Sequence, residues 1–237
     1  YKKVFVTGHN ANKQSILGDW AMEQPEEHVT TVLKGLKAIS PETNYNFLDL
    51  GWNVRLLSDN QIKEGVQQAR SSDLAILVVG ENSMRYHWNE KTCGENSDRY
   101  ELSLPGRQQE LVEAVAATGV PTVVILVNGR PLTTEWIDEN MPCIIEAWEP
   151  GVAGGQAWAE ILYGKVNPSG KLPITIPRST GQIQCMYNHK FTNHWFPYAT
   201  GNSLPLYEFG YGLSYTTYKY ENLKLSEATT TPDKSVK

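Results

Sequence analysis

Residues 80–105 read GENSMRYHWNEKTCGENSDRYELSLP. They carry five carboxylates, Glu81, Glu90, Glu95, Asp98 and Glu101, among the rings of Tyr86, Trp88 and Tyr100 and the guanidinium groups of Arg85 and Arg99. A positioned carboxyl can protonate a departing glycosidic oxygen, and aromatic rings stack on the apolar faces of pyranoses. The mixture therefore suits sugar chemistry. It also describes a solvated acidic loop, since loops commonly carry charge, and composition alone does not choose between the two.

Other chemistries are poorly supplied. Gly8-His9-Asn10 lacks the G-x-G-x-x-G pattern, the Gly-Lys at 170–171 is followed by Leu172 where a phosphate loop needs Ser or Thr, and Gly151, Gly154 and Gly155 have no lysine partner. No nucleotide or other cofactor is expected. The histidines, His9, His28, His87, His189 and His194, form no H-E-x-x-H and read as ordinary loop or surface residues, so no metal is expected. G-x-S-x-G is absent. Cys93, Cys143 and Cys185 show no C-x-x-C and leave room for one disulfide at most.

The 237 residues, 40% apolar and 20% charged, suffice for one large domain with a full core. A net charge of −5 argues against nucleic acid or an anionic membrane as a partner. No apolar run approaches the roughly 20 residues that span a bilayer.

The elements that must position the loop read as alternating strands and helices. Apolar runs at 4–7, 47–50, 74–79, 122–127, 143–148 and 172–176 are expected strands, most of them buried on both faces. Between them, 27–38, a segment opened by the capping pair Ser58 and Gln61, 106–118 and 152–163 are expected amphipathic helices. Alternation of this kind predicts an α/β fold with a mostly parallel sheet between helix layers. Ligands of such sheets gather at the carboxyl ends of the strands, where residues 80–105 follow the third. A second long loop, 177–207, is rich in aromatics, His and Asn.

Several segments, taken in order, carry a resemblance: VFVTGHNANKQSILGDW, VVGENS, GENSDRYELSLPGRQQELVEAV, VVILVNGRPL, AWEPGVAGGQAWAEILYGKVNPSGKLPITIPRSTGQIQ and PLYEFGYGLSYTTYKY. Together they resemble the second domain of family 3 glycoside hydrolases, over nearly the whole chain. The resemblance implies a flavodoxin-like, six-stranded α/β sandwich over 1–217. Residues 218–237 would be a linker and the start of a fibronectin-like third domain. It further implies an N-terminal (β/α)8 barrel as partner within the same protein, bearing the nucleophilic aspartate. The activity implied is retaining hydrolysis of β-linked glucosides or oligosaccharides, and the family's members suggest a secreted or periplasmic setting.

By the same resemblance Glu95, four residues before Arg99 and ten before Pro105, is the general acid/base, with Glu90 in NEKTCG as second candidate. A guanidinium held on a working acid would keep it ionised, so Arg99 is expected to face Asp98 or Glu101. Trp20 in ILGDW resembles the tryptophan that flanks the leaving-group subsite. Its alternative is a core position, because tryptophan is usually well buried. Trp88 is a further stacking candidate. Arg130 reads as structural, paired with a carboxylate, and FGYGLSY as a packing turn. The opening at Tyr1, directly into a strand-like run, reads as a processed or excised chain, expected to be inactive alone. A carbohydrate-binding or interaction module of the same fold, without catalysis, is the rival reading.

Overall fold

In the computed structural model, residues 1–182, 185–186, 188 and 198–237 are described; His189 and His194, and much of the second long loop, lie outside them. Five strands, β1 (Lys3–Thr7), β2 (Asn44–Leu48), β3 (Leu74–Gly80), β4 (Thr122–Val127) and β5 (Cys143–Glu146), form one wholly parallel sheet. Its order is β2-β1-β3-β4-β5. The helices are α1 (Val32–Ile39), α2 (Asp59–Arg70), α3 (Gln108–Ala116), α4 (Glu135–Asn140) and α5 (Gly154–Leu162).

Side chains alternate across the central strands, so each face feeds its own core. Phe5, Ala75, Leu77, Val79 and Val124 meet Ile62, Leu111, Val115 and Ile137 of α2, α3 and α4. Val4, Val6, Ile76, Val78 and Ile125 meet Val32, Leu33, Leu36 and Ala159 of α1 and α5. Burial on both faces explains why β3 and β4 read as unbroken apolar runs.

The capping pair before α2 is formed: the Ser58 hydroxyl accepts the Gln61 N–H at 3.2 Å, and the Gln61 amide oxygen accepts the Ser58 N–H at 3.0 Å. The first helix is shorter than its apolar pattern. Glu26–His28 form a separate 3₁₀ turn, and Thr30 donates its N–H to the Val152 carbonyl at 2.8 Å. The chain stays extended through Thr31, whose hydroxyl then caps α1.

Three expected strands need correction. The second lies at 44–48, earlier than its apolar residues suggest. As an edge strand with one neighbour it tolerates a polar sequence, NYNFL, that a search for apolar runs undervalues. The fifth ends at Glu146, two residues before the backbone leaves the extended region at Trp148, φ +51°. The sixth, at 172–176, does not join the sheet. Pro173 has no N–H to give a ladder, and the segment meets residues 206–211 instead, through the isolated antiparallel bridge Ile176–Tyr207 and the backbone hydrogen bonds of Leu172 with Gly210 and Tyr211. Among the described residues the sheet thus has five strands rather than six. Residues 216–237 form no helix or strand and are exposed.

Helices α1 and α5 approach backbone to backbone. A Cβ at Gly155 would stand 1.9 Å from the Thr31 carbonyl oxygen, and one at Gly35 would stand 2.1 Å from that of Gly155. No side chain fits there, so Gly155→Ala must pry the helices apart, at a cost of about 1–3 kcal/mol or more. Thermal unfolding should register a fall of roughly 5 °C. Gly170→Ala, whose Cβ would meet nothing within 4 Å, should leave the midpoint in place. Equal midpoints for the two variants would contradict the close crossing.

Candidate active site at the switch point

Strand order reverses between β1 and β3, and the loops that leave these two strands therefore diverge around a crevice, the usual ligand position in such sheets. The β3 loop is tied at both ends by one buried side chain. Gln108 accepts the Gly80 N–H at 3.0 Å and donates to the carbonyls of Gly80 at 2.8 Å and Pro105 at 3.1 Å.

Inside the loop stands Glu81, whose carboxylate is wholly shielded from solvent. Arg99 donates to it at 3.0 Å, and the Arg130 Nε lies 3.4 Å from its other oxygen without hydrogen-bond geometry. Burial pushes the Glu81 carboxyl above its ordinary value, and Arg130 and Arg99 pull against it. Both arginines also hold backbone: Arg130 the carbonyls of Thr92 (3.1 Å) and Ser97 (2.5 Å), Arg99 that of Ser103 (2.7 Å). A single buried anion thus fixes the path of residues 92–103.

That path carries Glu95 to the rim, where its side chain is half exposed and paired with Arg85. Asp19, from the β1 loop, accepts the Glu95 N–H at 2.5 Å and the Lys91 ammonium at 2.8 Å, and lies 3.3 Å from the Arg85 Nε. Burial alone would raise the Asp19 carboxyl; Lys91 and the Glu95 N–H outweigh it and hold the group below the usual carboxylate range. Glu149, beyond β5, hydrogen-bonds the Ser83 hydroxyl, and burial pushes its carboxyl up.

Trp20 is 75% exposed, so it is not a core residue. The Arg85 guanidinium lies 3.5 Å from its ring centroid. Trp88 is half exposed, with the Lys91 ammonium 4.6 Å from its ring. Arg85 thus links Glu95 with Trp20, and lies 5.9 Å from the Trp88 ring. Glu90 sits apart, 3.3 Å from a ring nitrogen of His87, which stacks on Trp52. A cleft of about 440 Å³ opens alongside, between Arg55, Trp88, Lys91, Asn96 and Arg99.

Other expectations divide. Arg130 does pair with a carboxylate. Arg99 turns away from Glu95, but to Glu81 rather than to Asp98 or Glu101, because the buried anion needs compensation that exposed carboxylates obtain from water. His9 is fully buried, with Nε2 3.2 Å from the Leu56 carbonyl, and is not a surface histidine. The three cysteines are free. Nothing in the local sequence marks Asp19, Lys91 or Glu149 as part of a site. The glycines beside them were the available signal: a Cβ at Gly94 would lie 2.6 Å from the Asp19 carboxylate and one at Gly18 2.8 Å from that of Glu149.

Residues 1–215 match the glycosyl hydrolase family 3 C-terminal domain, and the chain belongs to that family. It is 37% identical over 235 residues to a beta-xylosidase of Formosa agariphila, covering 94% of this chain and 31% of that protein. It is 42% identical over 188 residues to a periplasmic beta-glucosidase of Salmonella typhimurium, covering 74% and 23%. Among solved structures it superposes on the beta-glucosidase of Listeria innocua in complex with isofagomine with a TM-score of 0.82 at 29% identity, covering 94% of this chain and 31% of that one. A beta-glucosidase involved in saponin metabolism from intestinal bacteria gives 0.83 at 30% identity, covering 98% and 36%. The chain spans about a third or less of the length of these relatives.

One carboxyl at the carboxyl edge of the sheet makes the domain's stability depend on pH. Burial raises the Glu146 carboxyl to about 7, against contacts of 3.1 Å from the Trp148 N–H and the Asn128 amide. In the unfolded chain it ionises near 4.5. Between these values the folded state keeps a proton that the unfolded state has lost. Its contribution is therefore full below pH 4.5 and declines as pH rises through 7. Glu146→Gln, which accepts the same two hydrogen bonds, should flatten this decline and unfold in urea at pH 8 with about 1–2 kcal/mol more stability than the parent. A parallel pH profile for the two proteins would contradict the buried-proton account.

Proposed function

We propose that the chain is the acid/base-bearing domain of a retaining β-glycosidase of the β-glucosidase type, acting on terminal non-reducing β-D-glucosyl residues of oligosaccharides and glucosides. Glu95 is the general acid/base. Trp20 and Trp88 flank the leaving group. The nucleophilic aspartate lies on an N-terminal (β/α)8 barrel of the same protein, so the isolated chain does not turn over substrate. Domain limits of 1–217 for the sandwich and 218–237 for a linker leading to a fibronectin-like domain belong to the same reading. A secreted or periplasmic setting draws its support from the Salmonella relative named as periplasmic.

The observation that carries the reading is the fixed loop that ends in a half-exposed carboxylate beside an exposed tryptophan. Relatives named beta-glucosidase and beta-xylosidase add the substrate class. In the first step Glu95 protonates the glycosidic oxygen as the nucleophile attacks the anomeric carbon. In the second it takes a proton from the water that releases the sugar. The two carboxyls of such a pair stand about 5–5.5 Å apart, and a loop tied to a packed sheet can hold one of them at that separation from a second domain. Glu90 is the weaker choice, because its carboxylate is turned to His87 beside the Trp52 ring rather than to the rim.

The test uses the full-length protein. Glu95→Gln should lose about 10²–10⁴-fold in kcat/KM on phenyl β-glucoside, whose leaving group needs a proton, and far less on 2,4-dinitrophenyl β-glucoside. On 2,4-dinitrophenyl β-glucoside, where release of the glycosyl-enzyme limits the variant, azide should attack in place of water, restore turnover and yield β-glucosyl azide. The same pattern in Glu90→Gln, with Glu95→Gln unaffected, would move the role to Glu90. Loss in neither would leave a sugar-binding module.

A further inference from the structure

We infer that Asp19 is the positioning residue for Glu95, holding the acid/base from the β1 loop through both polar groups of its peptide backbone. The inference rests on the reading of Glu95 given above and goes beyond it.

Glu95 has no regular element to stand on. It sits between Gly94 at φ +85° and Asn96 at φ +59°, in a turn closed by the Ser97 N–H on the Gly94 carbonyl at 3.2 Å. Two successive excursions into the left-handed region are not self-supporting for a residue that must keep a proton donor within about 2.6–3.2 Å of its target. The support comes from across the crevice. Asp19 Oδ2 accepts the Glu95 N–H at 2.5 Å. Asp19 Oδ1 accepts Lys91 Nζ at 2.8 Å, and the same ammonium donates to the Glu95 carbonyl at 3.0 Å. The N–H and the C=O of one residue are therefore gripped by one carboxylate, the second through a lysine.

The grip is built into the fold rather than laid on its surface. The Lys91 side chain is 1% exposed and that of Asp19 11%, so the ammonium has no water to replace its partner. Charge-assisted contacts of this kind are the strong ones. Gly94 leaves room for Asp19, since a Cβ there would come within 2.6 Å of the carboxylate. Asp19 also offers Arg85 a second anion, 3.3 Å from its Nε. When a sugar approaches and Glu95 must take up its proton, the guanidinium already has Asp19 and the Trp20 ring as partners.

The experiment is a leaving-group series on the full-length protein with Asp19→Asn, Lys91→Met and Glu95→Gln. Misplacing a proton donor slows only the reactions that need the proton. Asp19→Asn and Lys91→Met should each lose about 10–100-fold in kcat/KM on phenyl β-glucoside, and stay within about threefold of wild type on 2,4-dinitrophenyl β-glucoside. A structural defect lowers both substrates in parallel, and that outcome, or no loss on either, overturns the inference. Should Asp19→Asn fail to fold by near-ultraviolet circular dichroism, the same ratio in Lys91→Met decides. Glu95→Gln separates the two layers. If azide does not rescue it, the acid/base reading fails and takes the inference with it. If azide rescues it while the Asp19 and Lys91 variants show no leaving-group selectivity, only the positioning role falls.

Discussion

The carboxylate of Glu81, sealed between Arg99 and Arg130, is the interaction on which the rest of the site depends. Glu81 follows the last residue of β3 and still uses the sheet, donating its N–H to the Val127 carbonyl at 2.8 Å. Its own carbonyl accepts the Asn10 amide from the β1 loop at 3.1 Å. Its side chain gathers one arginine from its own loop and one from the loop after β4. Burying an anion costs several kcal/mol unless it is paired, and removing a partner leaves the others exposed to that cost. The β3 and β4 loops are therefore coupled, since neither can relax without uncovering a charge, and the β1 loop joins them through the Asn10 hydrogen bond to the Glu81 carbonyl. Long irregular segments are ordinarily the mobile part of a fold, and here the penalty for freeing a buried charge replaces the hydrogen-bond ladder that residues 92–103 lack.

Rigidity acquired in this way has a direction. Arg99 and Arg130 bind the carbonyls of Thr92, Ser97 and Ser103 and leave the side chain of Glu95 pointing outward to Arg85. The β1 loop then closes on the same turn through Asp19, and the β5 loop meets the start of the β3 loop through Glu149 and Ser83. Charges are graded from the interior to the rim: a fully enclosed Glu81, an almost enclosed Asp19 and Lys91, and a half-exposed Glu95. The proposed acid/base takes the last position, where a carboxyl can exchange protons with a ligand, and the inner charges are its support. Family 3 membership gives that arrangement its chemical context, and the five-stranded sheet gives it a base.

Much of this was legible in sequence where local rules act. The β3 and β4 runs were readable because burial on both faces removes polar residues. The start of α2 was readable because Ser58 and Gln61 satisfy each other within one turn. The carboxylate-rich loop was readable as lying at the carboxyl edge. What escaped depends on partners far apart in the chain. Nothing near Arg99 announces a carboxylate 18 residues earlier, and the nearer Asp98 and Glu101 are the natural guesses. The edge strand β2 is polar because one of its sides has no neighbour. The run at 172–176 is apolar enough for a strand, yet Pro173 denies it a ladder. Asp19 was hidden because its role exists only once the β1 and β3 loops meet, 76 residues apart at the Glu95 contact.

Hydrogen exchange on Glu81→Gln beside the parent protein tests the hold of the buried anion on the loop directly. The amides of residues 92–103 should lose protection by about tenfold or more while those of β3 and β4 keep theirs, since the buried anion holds the loop and not the sheet. Unchanged protection across 92–103, in a variant that is folded and lacks the charge, would show that packing alone fixes the loop and that the anion does not.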